Sequence, residues 1–183
     1  MSKAQPVSDT MEFAVEHDAP IQYLHRISTY YQALGYGKPY EWAHFADVPF
    51  TPLAKPLADS KVALITTAAP YQPGKGDQRP GAPYNAAAKF YRVYTDSTDS
   101  EPDLRISHIG IDRKHTTAKD INTWFPLKQL KRADEANRIG GITPRFYGAP
   151  TNRSQRTTID QDCAELLEAL HEDGADVAVI VAN

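Results

Sequence analysis

His108 and Asp112 close a segment, Leu104 to Ile111, in which apolar and polar side chains alternate. A carboxylate near a histidine sets its tautomer and raises its pKa, the arrangement that acid–base catalysis uses. The structural alternative is a histidine on a strand face and an aspartate opening a turn. His115, Thr116 and Thr117 follow and supply either donors to an anion or the cap of a turn. Thr66 and Thr67 end the apolar segment Lys61 to Thr67. Their hydroxyls are placed to face the same crevice, although threonine is also an ordinary strand residue. Arg145, Asn152, Arg153 and Arg156 precede a helical pattern, with Ser154 among them. Guanidinium forks and helix amides suit a carboxylate or a phosphate, whereas a solvated arginine group is the plainer outcome. The resulting candidates are His108 and Asp112 for catalysis, and Thr66, Thr67, Arg145, Asn152 and Arg153 for substrate binding.

Other chemistries find little support. The chain has 1 cysteine, Cys163, so it has neither an internal disulfide nor a multi-cysteine metal site. Cys163 falls on the apolar stripe of a helical pattern, where a thiol behaves as a small hydrophobe, and nothing nearby in sequence would depress its pKa. The 6 histidines lack metal-ligand spacing, so no metal is expected. Gly74, Gly76 and Gly81 match neither a dinucleotide fingerprint nor a phosphate-binding loop, and no nucleophile elbow is present. The formal net charge is -3 and no lysine or arginine run occurs, so neither nucleic acid nor an anionic membrane is an expected partner. Without a signal-peptide core or a spanning apolar run, the cytoplasm is the expected location.

The elements that must position these residues form an α/β pattern. Ile21, Leu24, Ile27, Tyr31 and Leu34 recur at helical spacing, with Asp18 as a cap and Gly35 as a stop. The stretch from Trp42 to Leu57 contains Pro49, Pro52 and Pro56, which forbid a regular helix or a central strand. Its aromatic and apolar residues suggest a segment laid over a surface. Lys61 to Thr67 reads as a buried strand, and Pro70 to Pro83 as a loop. Lys89 to Thr95 and Leu104 to Ile111 read as strands, Pro126 to Ile139 as a helix, and Arg145 to Tyr147 as a short extended piece. Thr157 to Asp173 is a helix with a capping box at Thr158 and Gln161 and a stripe of Ile159, Cys163, Leu166, Leu167 and Leu170.

Gly174 then turns the chain into Ala175 to Asn183, an apolar run of the kind found inside a sheet. Helix, glycine and apolar strand predict a three-layer α/β fold, a mostly parallel sheet flanked by helices. In such folds ligands sit just past the carboxyl ends of the strands.

Four stretches, in this order, carry a resemblance. They are Lys61-Val-Ala-Leu-Ile-Thr-Thr67, Ile106-Ser-His-Ile-Gly-Ile-Asp112, Asp120-Ile-Asn-Thr-Trp-Phe-Pro-Leu-Lys-Gln-Leu130 and Gly174-Ala-Asp-Val-Ala-Val-Ile-Val-Ala-Asn183. Together they resemble the selenoprotein B family of the glycine, sarcosine, betaine and D-proline reductases. The resemblance covers roughly residues 57–183. It implies an α/β reductase-like domain there, C-terminally truncated, after an N-terminal extension with one helix and a Pro-rich segment (residues 1–56) that does not match.

The resemblance also implies chemistry. In the family the residue after the last strand is the catalytic selenocysteine, or a cysteine in its place. The chain would therefore end just before its nucleophile, at a UGA codon read as a stop. The family activity is reductive cleavage of a C–N bond in a small amino acid or amine. A selenolate attacks carbon, and a pyruvoyl group on a partner subunit activates the amine. A selenoprotein A-like carrier and thioredoxin-type thiols complete the cycle. His108 and Asp112 would orient or protonate, and Thr67 would line the pocket. The arginine cluster rests on charge alone. The alternative is a non-catalytic binding or assembly module with a small anion pocket. A complete chain working through His108 and Asp112 alone ranks below both, since no second acid or base stands at fixed spacing.

Overall fold

The computed structural model describes residues 20–37, 44–76, 81–115, 117–151 and 154–183. The chain forms two compact units, Met1–Trp42 and Ala43–Asn183. In the first, helix α1 spans Tyr23–Ala33 and buries none of its residues. Gly35 stops it with a φ of 87°, a left-handed conformation in which a Cβ is strained. The expected cap Asp18 lies outside the described residues.

The second unit begins with an irregular segment. Residues 44–56 were expected to cover a surface, yet they are exposed, Phe50 to 87%. Three prolines withhold amide donors, so no ladder draws the segment onto the sheet. Trp42 lies outside the described residues.

The strands are β1 (Val62–Thr66), β2 (Ala69–Pro70), β3 (Tyr94–Ser97), β4 (Leu104–Arg105), β5 (Arg145–Gly148) and β6 (Val177–Val181). The main sheet has the order β3-β5-β1-β6, and β2 pairs separately with β4. Both β5 and β6 run parallel to β1, while β3 is antiparallel to β5. The sheet is thus mostly parallel with an antiparallel edge, as the sequence predicts. Every residue of β1 is buried, which explains its unbroken apolar and small composition.

Helices cover both faces. Helix α2 (Leu127–Glu135) brings Leu127 and Leu130 onto a core of Leu64, Ile106, Trp124, Phe125 and Phe146. On the other face, Ala63, Ile65 and Tyr147 pack with Leu166. Leu166 belongs to α4 (Cys163–Glu172), which follows a short α3 (Gln155–Thr157) and a π-helical turn, Thr158–Asp162.

Several local expectations change. The long helix is capped by Ser154, whose Oγ accepts from the Thr157 amide at 3.2 Å. Thr158 is already helical, with φ -61° and ψ -45°, so the capping box at Thr158 and Gln161 does not form. Of the predicted stripe, Leu166 is buried, but Ile159 and Leu167 are exposed, and so is Cys163. The extra residue in the π turn rotates the helix face, so a strict 3.6-residue reading misassigns part of the stripe. Strand β3 starts only at Tyr94, after an irregular stretch from Lys89. Strand β4 ends at Arg105, which faces Ala69, the first residue of β2, and Ile106 beyond it makes a single bridge with Tyr84. The last strand is an edge strand, and Ile180 is 69% exposed.

Candidate functional site

The apolar drive that buries β1 brings its carboxyl end beside that of β6. Thr66 is fully buried, and its Oγ1 accepts from the Ala68 amide at 3.1 Å. The Thr67 amide donates to the Val181 carbonyl at 3.3 Å. Thr67 Oγ1 accepts from the Asn183 amide at 2.8 Å and donates to the Asn183 carbonyl at 3.2 Å. The Asn183 side-chain amide reaches the Trp124 carbonyl at 3.4 Å. Its Oδ1 is shielded from water and, among the described residues, accepts no hydrogen bond. A buried acceptor left in this state is costly.

Trp124 is positioned by its own sequence. Asp120 caps the 3-10 turn Ile121–Thr123, accepting from the Asn122 amide at 3.0 Å and from its side chain at 2.8 Å. Those two bonds hold the Asp120 carboxyl below its usual pKa. The indole of Trp124 donates to the Ala118 carbonyl at 3.1 Å. A cleft lined by Gly81, Asp103, Leu104, Ala118 and Trp124 opens beside it.

His108 follows β4 rather than sitting on a strand. The turn after it is marked by the Ile111 amide, which donates to the His108 carbonyl at 3.4 Å. The side chain is half-buried, and its pKa is lowered, first by burial and then by the charge of Lys89. A neutral imidazole is therefore favoured. Asp112 is buried and engaged locally. Its Oδ1 accepts from the amides of Lys114 and His115 at 3.0 and 3.2 Å, and its Oδ2 meets His115 Nδ1 at 2.6 Å. The carboxylate thus orients His115.

Arg145 stands at the opposite end of the sheet from Thr67, at the start of β5. Its guanidinium forks onto Asp173 at 2.9 and 3.0 Å and reaches Glu172 at 3.1 Å. These bonds raise its pKa further and tie β5 to the end of α4. They commit the fork to a structural pair rather than to a ligand beside Thr67. Asn152, Arg153 and Thr116 lie outside the described residues, and Arg156 is exposed.

The sequence model of the glycine/sarcosine/betaine reductase selenoprotein B family matches residues 31–183. The chain belongs to this family. The match begins within α1, upstream of residue 57 where the resemblance in the motifs begins. No curated protein and no solved structure matches the chain. Membership gives a reductase subunit of the glycine/betaine type, in a family of selenoproteins that work with partner subunits.

Two residues, Tyr94 and Lys89, hold neighbouring segments in place without a motif of their own that marks them. Tyr94 donates its hydroxyl to the Ala68 carbonyl at 2.7 Å and lies over Gly148, where a Cβ would stand 1.8 Å from its ring. Burial pushes the Tyr94 pKa up. The signal was the Phe-Tyr-Gly run of β5, a glycine inside an apolar strand that marks a close approach. Lys89 lies beside Ser107, and its Nζ donates to the Ser107 carbonyl at 2.9 Å. That contact joins segments 18 residues apart and leaves no local signal. Among the described residues, no group of three or more His, Cys, Asp or Glu side chains is placed to hold a metal ion. No described helix is long and apolar enough to cross a membrane.

Proposed function

We propose that this chain is the part of a selenocysteine- or cysteine-dependent reductase that presents substrate to a nucleophile directly after Asn183. The observation that carries the reading is the closure of Thr67 on Asn183 at the carboxyl ends of β1 and β6. Asn183 Oδ1 beside it is shielded from water and, among the described residues, has no hydrogen-bond partner, which supports the reading. A selenolate or thiolate supplies the nucleophile, and a pyruvoyl carbonyl on a partner subunit activates the amine. The residues of this chain do the rest. Thr67 fixes the strand end, Asn183 receives a donor, and His108 holds or yields a proton as the amine leaves. Asp112 orients His115.

In the overall reaction the C–N bond of a small amino acid or amine breaks. Carbon gains a hydrogen and the amine departs. Two thiols of a thioredoxin-type donor supply two electrons and two protons and end as a disulfide. A selenoprotein A-like carrier acts between the two halves, in the cytoplasm where such thiols stay reduced. The domain reading that accompanies this proposal is an extension over residues 1–56 and a reductase-like domain from residue 57 onward.

The test is to express the chain with selenocysteine or cysteine directly after Asn183 and to combine it with the partner subunits and a dithiol. Release of ammonia, methylamine or trimethylamine from glycine, sarcosine or betaine supports the reading. No release, with the partners shown to be competent in their own complex, overturns it. The nucleotides after the Asn183 codon give an independent check, since a UGA followed by family-like sequence is the expected arrangement. A second reading, a non-catalytic assembly module, draws on Ile180 and Leu167, exposed to 69% and 54%.

A further inference from the structure

The loop from Asn85 to Lys89 is held firmly against the strand that leads to His108. Asn85 is buried, and its amide donates to the Ile106 carbonyl at 3.0 Å. Its Oδ1 accepts from the Ala87 amide at 2.9 Å, and the Lys89 amide donates to the Ala87 carbonyl at 2.9 Å. Gln72 clamps the Lys89 carbonyl from the other side at 3.0 Å. The backbone under Lys89 is therefore fixed, and its side chain runs inward to the Ser107 carbonyl at 2.9 Å. Ser107 is buried and adjoins His108.

That one carbonyl occupies one of the three N–H donors of the ammonium. Among the described residues no carboxylate pairs with Lys89, and burial lowers its pKa. Its charge also reaches the His108 ring. Arg113 is a second cationic group on the neighbouring turn, its guanidinium 3.7 Å from the ring centre of Tyr84, and Tyr84 bridges to Ile106. The carboxylate of Asp112 is directed to His115 and to the amides of residues 114 and 115. A partly desolvated ammonium that, among the described residues, has no counter-charge is stabilised by an anion.

We propose that Lys89 anchors the carboxylate of the substrate beside His108, with Arg113 adding charge from the neighbouring turn. This rests on the reductase reading above and deepens it. Glycine, sarcosine and betaine share a carboxylate and differ at nitrogen. An anchor on the shared end leaves the C–N bond pointing away from Lys89, toward the group that cleaves it.

The experiment uses the full chain and follows the His108 ring resonances by NMR, assigned with His108→Gln. Acetate and betaine are titrated as carboxylate probes, and choline serves as the control without a carboxylate. Acetate and betaine should shift His108 saturably, and choline should not. Lys89→Met should weaken both by about tenfold, the scale of one charge-assisted hydrogen bond. Lys89→Arg should keep most of the affinity. If Lys89→Met does not fold, Lys89→Gln takes its place in the same titration. Unchanged binding in the neutral variant, or His108 shifts with choline equal to those with betaine, overturns the proposal. Binding needs no selenium, partner or turnover. A failed reductase assay therefore leaves this result standing, and a failed titration leaves the reductase reading standing.

Discussion

On one face of the main sheet, Leu64 and Phe146 pack beneath Trp124, Phe125 and Leu127. On the other, Ala63, Ile65 and Tyr147 meet one buried helix residue, Leu166. The first face is held by aromatic packing, with Phe125 and Phe146 edge to face at 4.8 Å. The second relies on polar ties at the end of α4, where Asp173 receives Arg145 and the Tyr147 hydroxyl. The difference matters for the site. Trp124 and Ile106, two residues before His108, belong to the aromatic face. The thinner face leaves Ile180 and Leu167 open to solvent.

The sharpest way to break this comparison is to empty each core in turn. Phe146→Ala should cost about 3–5 kcal/mol and Leu166→Ala about 2–3 kcal/mol, measured by denaturant unfolding. Equal losses would mean that the faces do not differ in packing. Next, Asp173→Asn should cost roughly 1–3 kcal/mol, because it removes the charge that pairs with Arg145, leaving it only Glu172, and weakens the bond from the buried Tyr147 hydroxyl. The same substitution on a face held by packing alone would be nearly silent.

Acid should separate the faces by pH window. The His108 pKa is depressed below 6.5, so the unfolded chain binds the extra proton first. Its contribution is intact above pH 6.5 and is lost as pH falls through the lower folded value. The Asp173 carboxyl is held below 3.8, first by Arg145, so its contribution persists to lower pH and fades only below that value. Stability measured against pH should therefore fall in two stages, and His108→Gln should erase the upper one. The smallest effect is expected at the open edge. Ile180→Thr should change stability by no more than about 0.5 kcal/mol. A larger loss would show that the thin face is covered after all.

Much of the frame was legible because its signals are local. The run Val62 to Thr66 is apolar and β-branched, and it became the fully buried strand of a parallel sheet. Gly35 and the Pro126–Leu127 start marked helix boundaries that the structure keeps. Periodicity failed where an extra residue entered the helix at Thr158–Asp162 and turned Cys163 outward. It failed again after Arg105, where the strand pattern gives way to a single bridge between Ile106 and Tyr84.

The sequence by itself determined the α/β class and the family, since both rest on patterns read along the chain. It also singled out His108, Asp112 and Thr67. Tertiary structure alone decided who meets whom. Asp112 turned to His115, Arg145 to Asp173, Thr67 to Asn183 and Lys89 to Ser107. The last three contacts join residues 28, 116 and 18 positions apart. Such pairings depend on sheet register and on loop paths, which a one-dimensional spacing does not encode.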